Sequence, residues 1–289
     1  MAPLTTTSLT TLRSIRQYDP YLQQNLPPTP NNDTSTTSYQ SNTEHVQFDT
    51  SGNITYLNLG GRRLRKLPSP ISTFHPLEHL TTLNLGNSDL PPQIQMDILS
   101  SLKQHGTLRD LHLSGNGLRD AGITNLSAVL EDFESLEKLD LRYNDIGPAG
   151  ATSLGTILNS SKNKLRILHV EGNELGDEGV TSLATVLCTN QTLMELYLGS
   201  NSIGPNGATS LSKCIEVNRT LSKLHLEGNC IGPNGAIAFA EVLERLKVEG
   251  GMRGLEKLYV DNNEMGKDAA KRLAKALNSD TAIEAVMEG

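Results

Sequence analysis

Twice in this chain a short apolar alternation runs into a glycine- and proline-rich turn and then a helix-like pattern: LGSNSIGPNGATSL at 198–211 and LEGNCIGPNGAIAF at 226–239. Strand, glycine turn and helix N-terminus can together cradle a phosphate through convergent N–H groups. A phosphate loop of that kind also carries a Lys followed by Ser or Thr, and IGPNGA has neither. The same register holds IGPAGA at 146–151, and LGDEGV at 175–180 and LRDAGI at 118–123 put Asp where Pro stands elsewhere. Pro suits the first turn of a helix and Asp suits its cap. Both therefore solve one problem, starting a helix after a tight turn, and the stretch is punctuation rather than a nucleotide site.

Two other constellations carry potential chemistry. His112, His169 and His225 recur at matching places two repeat units apart. Neighbouring strands lie about 4.8 Å apart, so these imidazoles are about 10 Å from one another, too far for one metal bound at roughly 2 Å. Ser114, His112 and Asp140 bring together the residue types of a nucleophilic triad, yet Ser114 and His112 lie side by side on one strand with no oxyanion donors in view. The expectation is a protein with no catalytic residues, no metal and no cofactor.

These residues sit in a long self-similar array. The pattern L-x-x-L-x-L-x-x-N-x-L begins at Leu108, Leu136, Leu165, Leu193, Leu221 and Leu255, with starts 28, 29, 28, 28 and 34 residues apart. Weaker copies begin at Ile54 and Leu80, with Arg62 and Ser88 in place of the asparagine, and Ile283 opens a partial ninth. Positions 4 to 6 alternate as a short strand with inward residues such as Leu196 and Leu198. Beyond the turn, Leu154, Leu183, Leu211 and Phe239 have apolar partners three and four residues on, the spacing of a helix. One unit cannot cover both faces, so units stack and their strands form a parallel sheet.

This pattern resembles the leucine-rich repeat family, and the 28-residue unit with a helix is similar to its ribonuclease-inhibitor-like subclass. The resemblance implies an α/β solenoid, a horseshoe with a parallel β-sheet on the concave face and α-helices on the convex face. It also implies that Asn116, Asn144, Asn173, Asn201, Asn229 and Asn263 form a structural ladder bonding the backbone of neighbouring turns. The first unit is shorter and looks like the opening repeat of plant-type members. Residues 45–289 are expected to be the solenoid, with a capping strand near 45–53 and the partial ninth repeat at 281–289.

Residues 1–44 are rich in Ser, Thr, Asn and Pro with little apolar periodicity, as in a disordered tail. Its first 18 residues lack acid and carry Arg13 and Arg16, so an organellar presequence stands as the alternative to a plain tail on a cytoplasmic protein. Three unpaired-looking cysteines, Cys188, Cys214 and Cys230, fit a reducing compartment. A net charge of −7 disfavours nucleic acid, and no run reaches the roughly 18 apolar residues of a membrane span. The six Asn-X-Ser/Thr triplets read as chance in an Asn-, Ser- and Thr-rich chain.

What remains is the outward strand positions. They present His112, Asp140, Arg142, His169, Glu171, Tyr197, His225, Glu227 and Tyr259, a polar and aromatic face suited to a protein partner. The expected function is a monomeric, non-enzymatic scaffold binding a protein on that face. The repeats are also similar to those of Ran GTPase-activating proteins and NOD-like receptors, which leaves GTPase activation and innate-immune recognition as alternatives. Arg62, Arg63, Arg65 and Lys66 form a basic cluster at the first repeat, and the six extra residues within 244–254 are expected to project as a loop.

Overall fold

The structure, a computed structural model, describes residues 46–49, 51, 53–61, 78–88, 91, 96–100, 106–131, 133–162, 164–248, 254–277 and 284–286. The tail at 1–44 and the basic cluster at 62–66 lie outside them. The chain divides into two compact units, one drawn from 1–116 and 132–137, the other from 117–131 and 138–289.

In the first unit, strand β1 (Val46–Phe48) pairs antiparallel with β2 (Ile54–Asn58), which pairs parallel with β3 (Thr82–Asn84) and that with β4 (Asp110–His112). The turn from β1 to β2 closes on Asp49, whose Oδ1 accepts the Ser51 and Asn53 N–H groups at 2.8 and 2.9 Å. Leu57, Leu83 and Leu111 point inward, each with no exposure.

The second unit repeats one motif: α1 (Arg119–Leu130), β5 (Lys138–Asp140), α2 (Pro148–Asn159), β6 (Ile167–His169), α3 (Gly176–Leu187), β7 (Glu195–Tyr197), α4 (Pro205–Val217), β8 (Lys223–His225), α5 (Gly232–Val248), β9 (Lys257–Tyr259), α6 (Lys267–Leu277) and β10 (Glu284–Val286). Strands β5 to β10 pair in parallel and in register, so Lys138, Ile167, Glu195, Lys223 and Lys257 share one column and Asp140, His169, Tyr197, His225 and Tyr259 another. The fold is an α/β solenoid of leucine-rich units. Leu168, Leu196, Leu224 and Leu258 line the inner face of the sheet, and Leu154, Leu183, Leu211 and Phe239 stand on the helices, all buried. Each such side chain contributes about 2 kcal/mol of burial.

Short strands leave the following turn with carbonyls that no strand neighbour reaches, and buried carbonyls need donors. The repeated asparagine supplies them. Asn201 Nδ2 donates to the Val170 and Leu198 carbonyls at 2.9 and 3.1 Å, while Asn229 Oδ1 accepts the Asn201 and Ile203 N–H groups at 2.8 and 3.1 Å. Asn173 and Asn263 repeat the pattern, reaching back to Leu141 and Leu226, and Asn144 Oδ1 accepts the Leu118 N–H. Asn144, Asn173, Asn201, Asn229 and Asn263 are all buried. In the first unit Asn116 accepts from the Ser88 N–H and hydroxyl and donates to the Leu85 carbonyl.

A second asparagine device, missed in the sequence, closes the other end of the repeat. Asn190 Nδ2 donates to the Leu158 carbonyl at 2.8 Å and Asn218 Nδ2 to the Leu187 carbonyl at 2.6 Å, while each Oδ1 accepts N–H groups two and three residues on. Both belong to Asn-X-Thr triplets. The triplets at 190 and 218 thus have a structural cause: the amide ties the last turn of one repeat's helix to the segment that follows the helix of the next repeat.

The helix starts correct the reading of Asp and Pro as interchangeable. Asp177 does not cap its own helix; its Oδ1 accepts the Gly204 and Gly207 N–H groups of the following repeat at 2.7 and 2.8 Å. Asp120 does the same for Gly147 and Gly150. Where an Asp precedes, the glycine before Pro is extended, with φ −97° at Gly147 and −95° at Gly204. Where Pro205 precedes, the same IGPNGA puts Gly232 at φ +62°, its N–H turned toward the Asn263 carbonyl at 3.0 Å. Identical hexapeptides at 203–208 and 231–236 therefore adopt two conformations, chosen by the neighbouring repeat.

The stretch at 244–254 also departs from expectation. Residues 244–248 continue α5 as helix instead of projecting as a loop. Leu246 extends its buried stripe, Arg245 pairs with Glu216 of α4, and Arg245 and Lys247 in the last turn complement the helix dipole. Residues 249–253 lie outside the described part.

Replacing Asn201 with Ala strands two buried carbonyls and is expected to lower unfolding stability by about 1–3 kcal/mol, read from chemical denaturation. Asp177→Ala is expected to cost about 1 kcal/mol and to speed amide exchange at Gly204 and Gly207. Unchanged protection there would refute the cross-repeat cap.

Candidate functional site

The outward positions of the second unit's strands carry the side chains of interest, because alternation sends residues three, five and seven of each repeat to the same face. Strand register then sets them side by side. His169, Tyr197, His225 and Tyr259 form one continuous stack, with ring centroids 4.1, 4.1 and 4.0 Å apart and interplanar angles of 19°, 16° and 11°. The rings stand closer than the roughly 4.8 Å between strands, so each leans on its neighbour. Aromatic pairs of this kind are worth about 0.5–1.5 kcal/mol each beyond their burial.

Residues two positions along hold the rings from the side. The His169 Nδ1–H donates to Glu171 Oε1 at 3.2 Å, and the His225 Nδ1–H donates to Glu227 Oε1 at 2.8 Å. Tyr197 is fixed from the opposite direction: its hydroxyl donates to Glu195 Oε2 at 2.8 Å, and Lys223 Nζ donates to Glu195 Oε1 at 2.7 Å. Burial and the bond to Glu195 push the Tyr197 phenol upward, so it remains a proton donor. Burial raises the Glu195 carboxyl too, but the bonds from Lys223 and Tyr197 outweigh it and leave the group below its usual range.

Asp140 departs from its expected role. It occupies the right column, yet its side chain is only 2% exposed, because Arg142 folds over it with Nε and Nη2 donating at 2.9 and 2.7 Å. Arg142, at 42% exposure, presents the surface instead. His112 lies on β4 in the first unit, in register with Asn84, and is half-buried. The other eight residues all belong to the second unit, and six of them form the stack and its carboxylate clasps.

Two functional-looking features were missed in the sequence. Glu195 and Lys223 stand in the column at position three, where only pairing across strands reveals their link. Tyr143 is 66% exposed and left-handed at φ +55°, its ring lying against Gly172 so closely that a Cβ there would meet it at 2.3 Å. Its signal was legible: the residue before the ladder asparagine is otherwise Gly115, Gly172, Ser200, Gly228 or Asn262, so one aromatic stands in a column of small residues.

The family described as "Leucine Rich repeat" matches residues 106–127, 134–155, 161–184, 189–212 and 217–240. Podocan-like protein 1 of Mus musculus is 34% identical over 134 residues, covering 39% of this chain and 23% of that protein. The ribonuclease inhibitor of Sus scrofa is 33% identical over 130 residues, covering 35% and 28%. The protein phosphatase 1 regulatory subunit 37 homolog of Caenorhabditis elegans is 32% identical over 98 residues, covering 34% and 10%. The chain thus spans less than a third of the length of each of these relatives. Among solved structures, leiomodin-1 actin-binding site 2 aligns with TM-score 0.45 and 17% identity over 53% of this chain and 90% of that one. Among the described residues no helix is long and apolar enough to cross a membrane.

The depressed Glu195 carboxyl makes a testable statement about acid. Its folded pKa lies below the ordinary 4.5, so its contribution to stability is complete above that value and is lost as pH falls through the folded one. Glu195→Gln is expected to flatten the decline of unfolding stability with pH below about 4.5. An unaltered slope would show that the Lys223 and Tyr197 bonds carry no net stabilisation.

Proposed function

For a chain built of leucine-rich repeats, we propose a non-enzymatic scaffold that binds a partner protein on the exposed sheet face of its second unit. The observation that carries this reading is the clasped stack of His169, Tyr197, His225 and Tyr259. A protein surface that holds four aromatic side chains in one geometry before binding spends little further entropy on association. Tyrosine is also among the residue types over which binding energy concentrates. Arg142 and Tyr143 extend the same polar and aromatic character to the first strand of the unit.

Two of the relatives are named for an effect on another protein, an inhibitor of ribonuclease and a regulatory subunit of protein phosphatase 1. Their example supports binding as the mode of action, and neither target is carried over. A reducing compartment such as the cytoplasm suits the free Cys188, Cys214 and Cys230.

The experiment is affinity capture from the source organism followed by the double variant Tyr197→Ala with Tyr259→Ala. Both rings are half-buried and face outward, so the fold is expected to survive, as circular dichroism and denaturation will show. Partner affinity is expected to fall at least about thirtyfold, as for loss of a binding hot spot. A partner that stays bound to a folded double variant overturns the assignment of this face.

A further inference from the structure

Position two of each repeat, one residue before the strand, sets side chains along the starting edge of the sheet. The backbone there pairs in the same way at two places. The Glu137 N–H donates to the Arg109 carbonyl at 2.8 Å, and the Met194 N–H donates to the Arg166 carbonyl at 2.8 Å. The side chains follow the backbone. In the first unit Arg109 Nη1 donates to Glu137 Oε1. In the second, Arg166 turns its fork on a thioether, with Nε and Nη2 donating to Met194 Sδ at 3.3 and 3.1 Å. Sulfur thus stands where the equivalent pair has a carboxylate oxygen.

A thioether is a weak acceptor, whereas a guanidinium bonds strongly to oxygen. The Arg166 side chain is therefore held in place but poorly answered. Met194 is also open to solvent. It is 36% exposed, whereas Met96 and Met265, the other methionines among the described residues, are 8% and 9% exposed. An oxidant must reach the sulfur lone pair, so exposure decides which methionine reacts first. In a core the polar sulfoxide disrupts packing. At Met194 the new oxygen would instead meet donors already turned toward the sulfur that carries it, and Arg166, itself exposed, is free to shift with it.

We propose that Met194 is a site of reversible oxidation whose sulfoxide Arg166 receives, making the pair the counterpart of Arg109 with Glu137. In the forward step a lone pair of the Met194 sulfur attacks one oxygen of hydrogen peroxide and the O–O bond breaks. The attacked oxygen stays on sulfur; its proton passes to the departing hydroxide, which leaves as water. Sulfur gives up two electrons and the peroxide takes them. A thiol-dependent methionine sulfoxide reductase reverses the change, the oxygen leaving as water while two thiols become a disulfide. The inference goes beyond the binding reading and does not depend on it.

The test treats the full chain with dilute hydrogen peroxide and maps the added oxygen by peptide mass spectrometry. Met194 is expected to oxidise at least about tenfold faster than Met96 and Met265. Solvent exchange of the Arg166 Nε–H, followed by NMR, is expected to slow at least about threefold once the sulfoxide forms, and to recover after treatment with the reductase. Met194→Gln places an amide oxygen near the same point and is expected to slow this exchange without peroxide. Met194→Leu is expected to abolish the response of Arg166 to peroxide, and thermal unfolding of both variants checks the fold.

Equal oxidation of the three methionines overturns the proposal, because exposure would then select nothing. An Arg166 exchange rate that the sulfoxide leaves unchanged also overturns it, since an ordinary surface methionine oxidises without engaging a neighbour. Neither outcome bears on the assignment of the aromatic face, which the tyrosine variants test separately.

Discussion

Each described repeat of the second unit ends its strand after three residues and must then turn while buried, and carbonyls of that turn have no strand to pair with. The ladder of Asn173, Asn201, Asn229 and Asn263 answers this constraint, one amide bridging its own turn and the one before it. Because each amide also accepts N–H groups from the previous repeat, the spacing of repeats is held by side-chain hydrogen bonds as well as by leucine packing. Asn190 and Asn218 do the equivalent work at the far end of the unit. The register that stacks one repeat on the next is therefore specified twice, by polar groups at both ends of an apolar layer.

That register is what turns separate outward residues into a surface. His169, Tyr197, His225 and Tyr259 are 28, 28 and 34 residues apart in the chain, yet parallel pairing sets their rings about 4 Å from one another. The additional residues between His225 and Tyr259 do not disturb the stack, because part of the insertion lengthens α5 and leaves the strand register untouched. A shift of one residue in any strand would send its ring to the core face, so the polar ladders and the aromatic face depend on the same geometry.

Much of this was legible in the sequence. The leucine period, the strand and helix of each unit and the asparagine column are local patterns, and each follows from the alternation of a strand or the stripe of a helix. The outward columns could be written down from the same alternation. What could not be read was how members of a column treat one another. Alternation displays Asp140 as an acid, but Arg142 two residues on folds over it, and the bond that Lys223 sends to Glu195 from the next strand has no signal in the local pattern. Tyr143 lies outside the strand alternation, yet it is legible as the aromatic in a column of small residues.

The IGPNGA turns show the division most clearly. From six letters the sequence determined that the chain turns and begins a helix, since proline fixes its own φ and glycine frees the residue before it. It did not determine which turn is made. At 203–208 the Asp177 carboxylate of the preceding repeat draws two N–H groups backward and Gly204 is extended; at 231–236 Pro205 occupies that place and Gly232 turns left-handed toward Asn263. The same reason separates repeat from surface throughout: periodicity is a property of the chain, whereas the conformation of a turn, the burial of an acid and the stacking of four rings belong to neighbours that only the tertiary structure brings within a few ångströms.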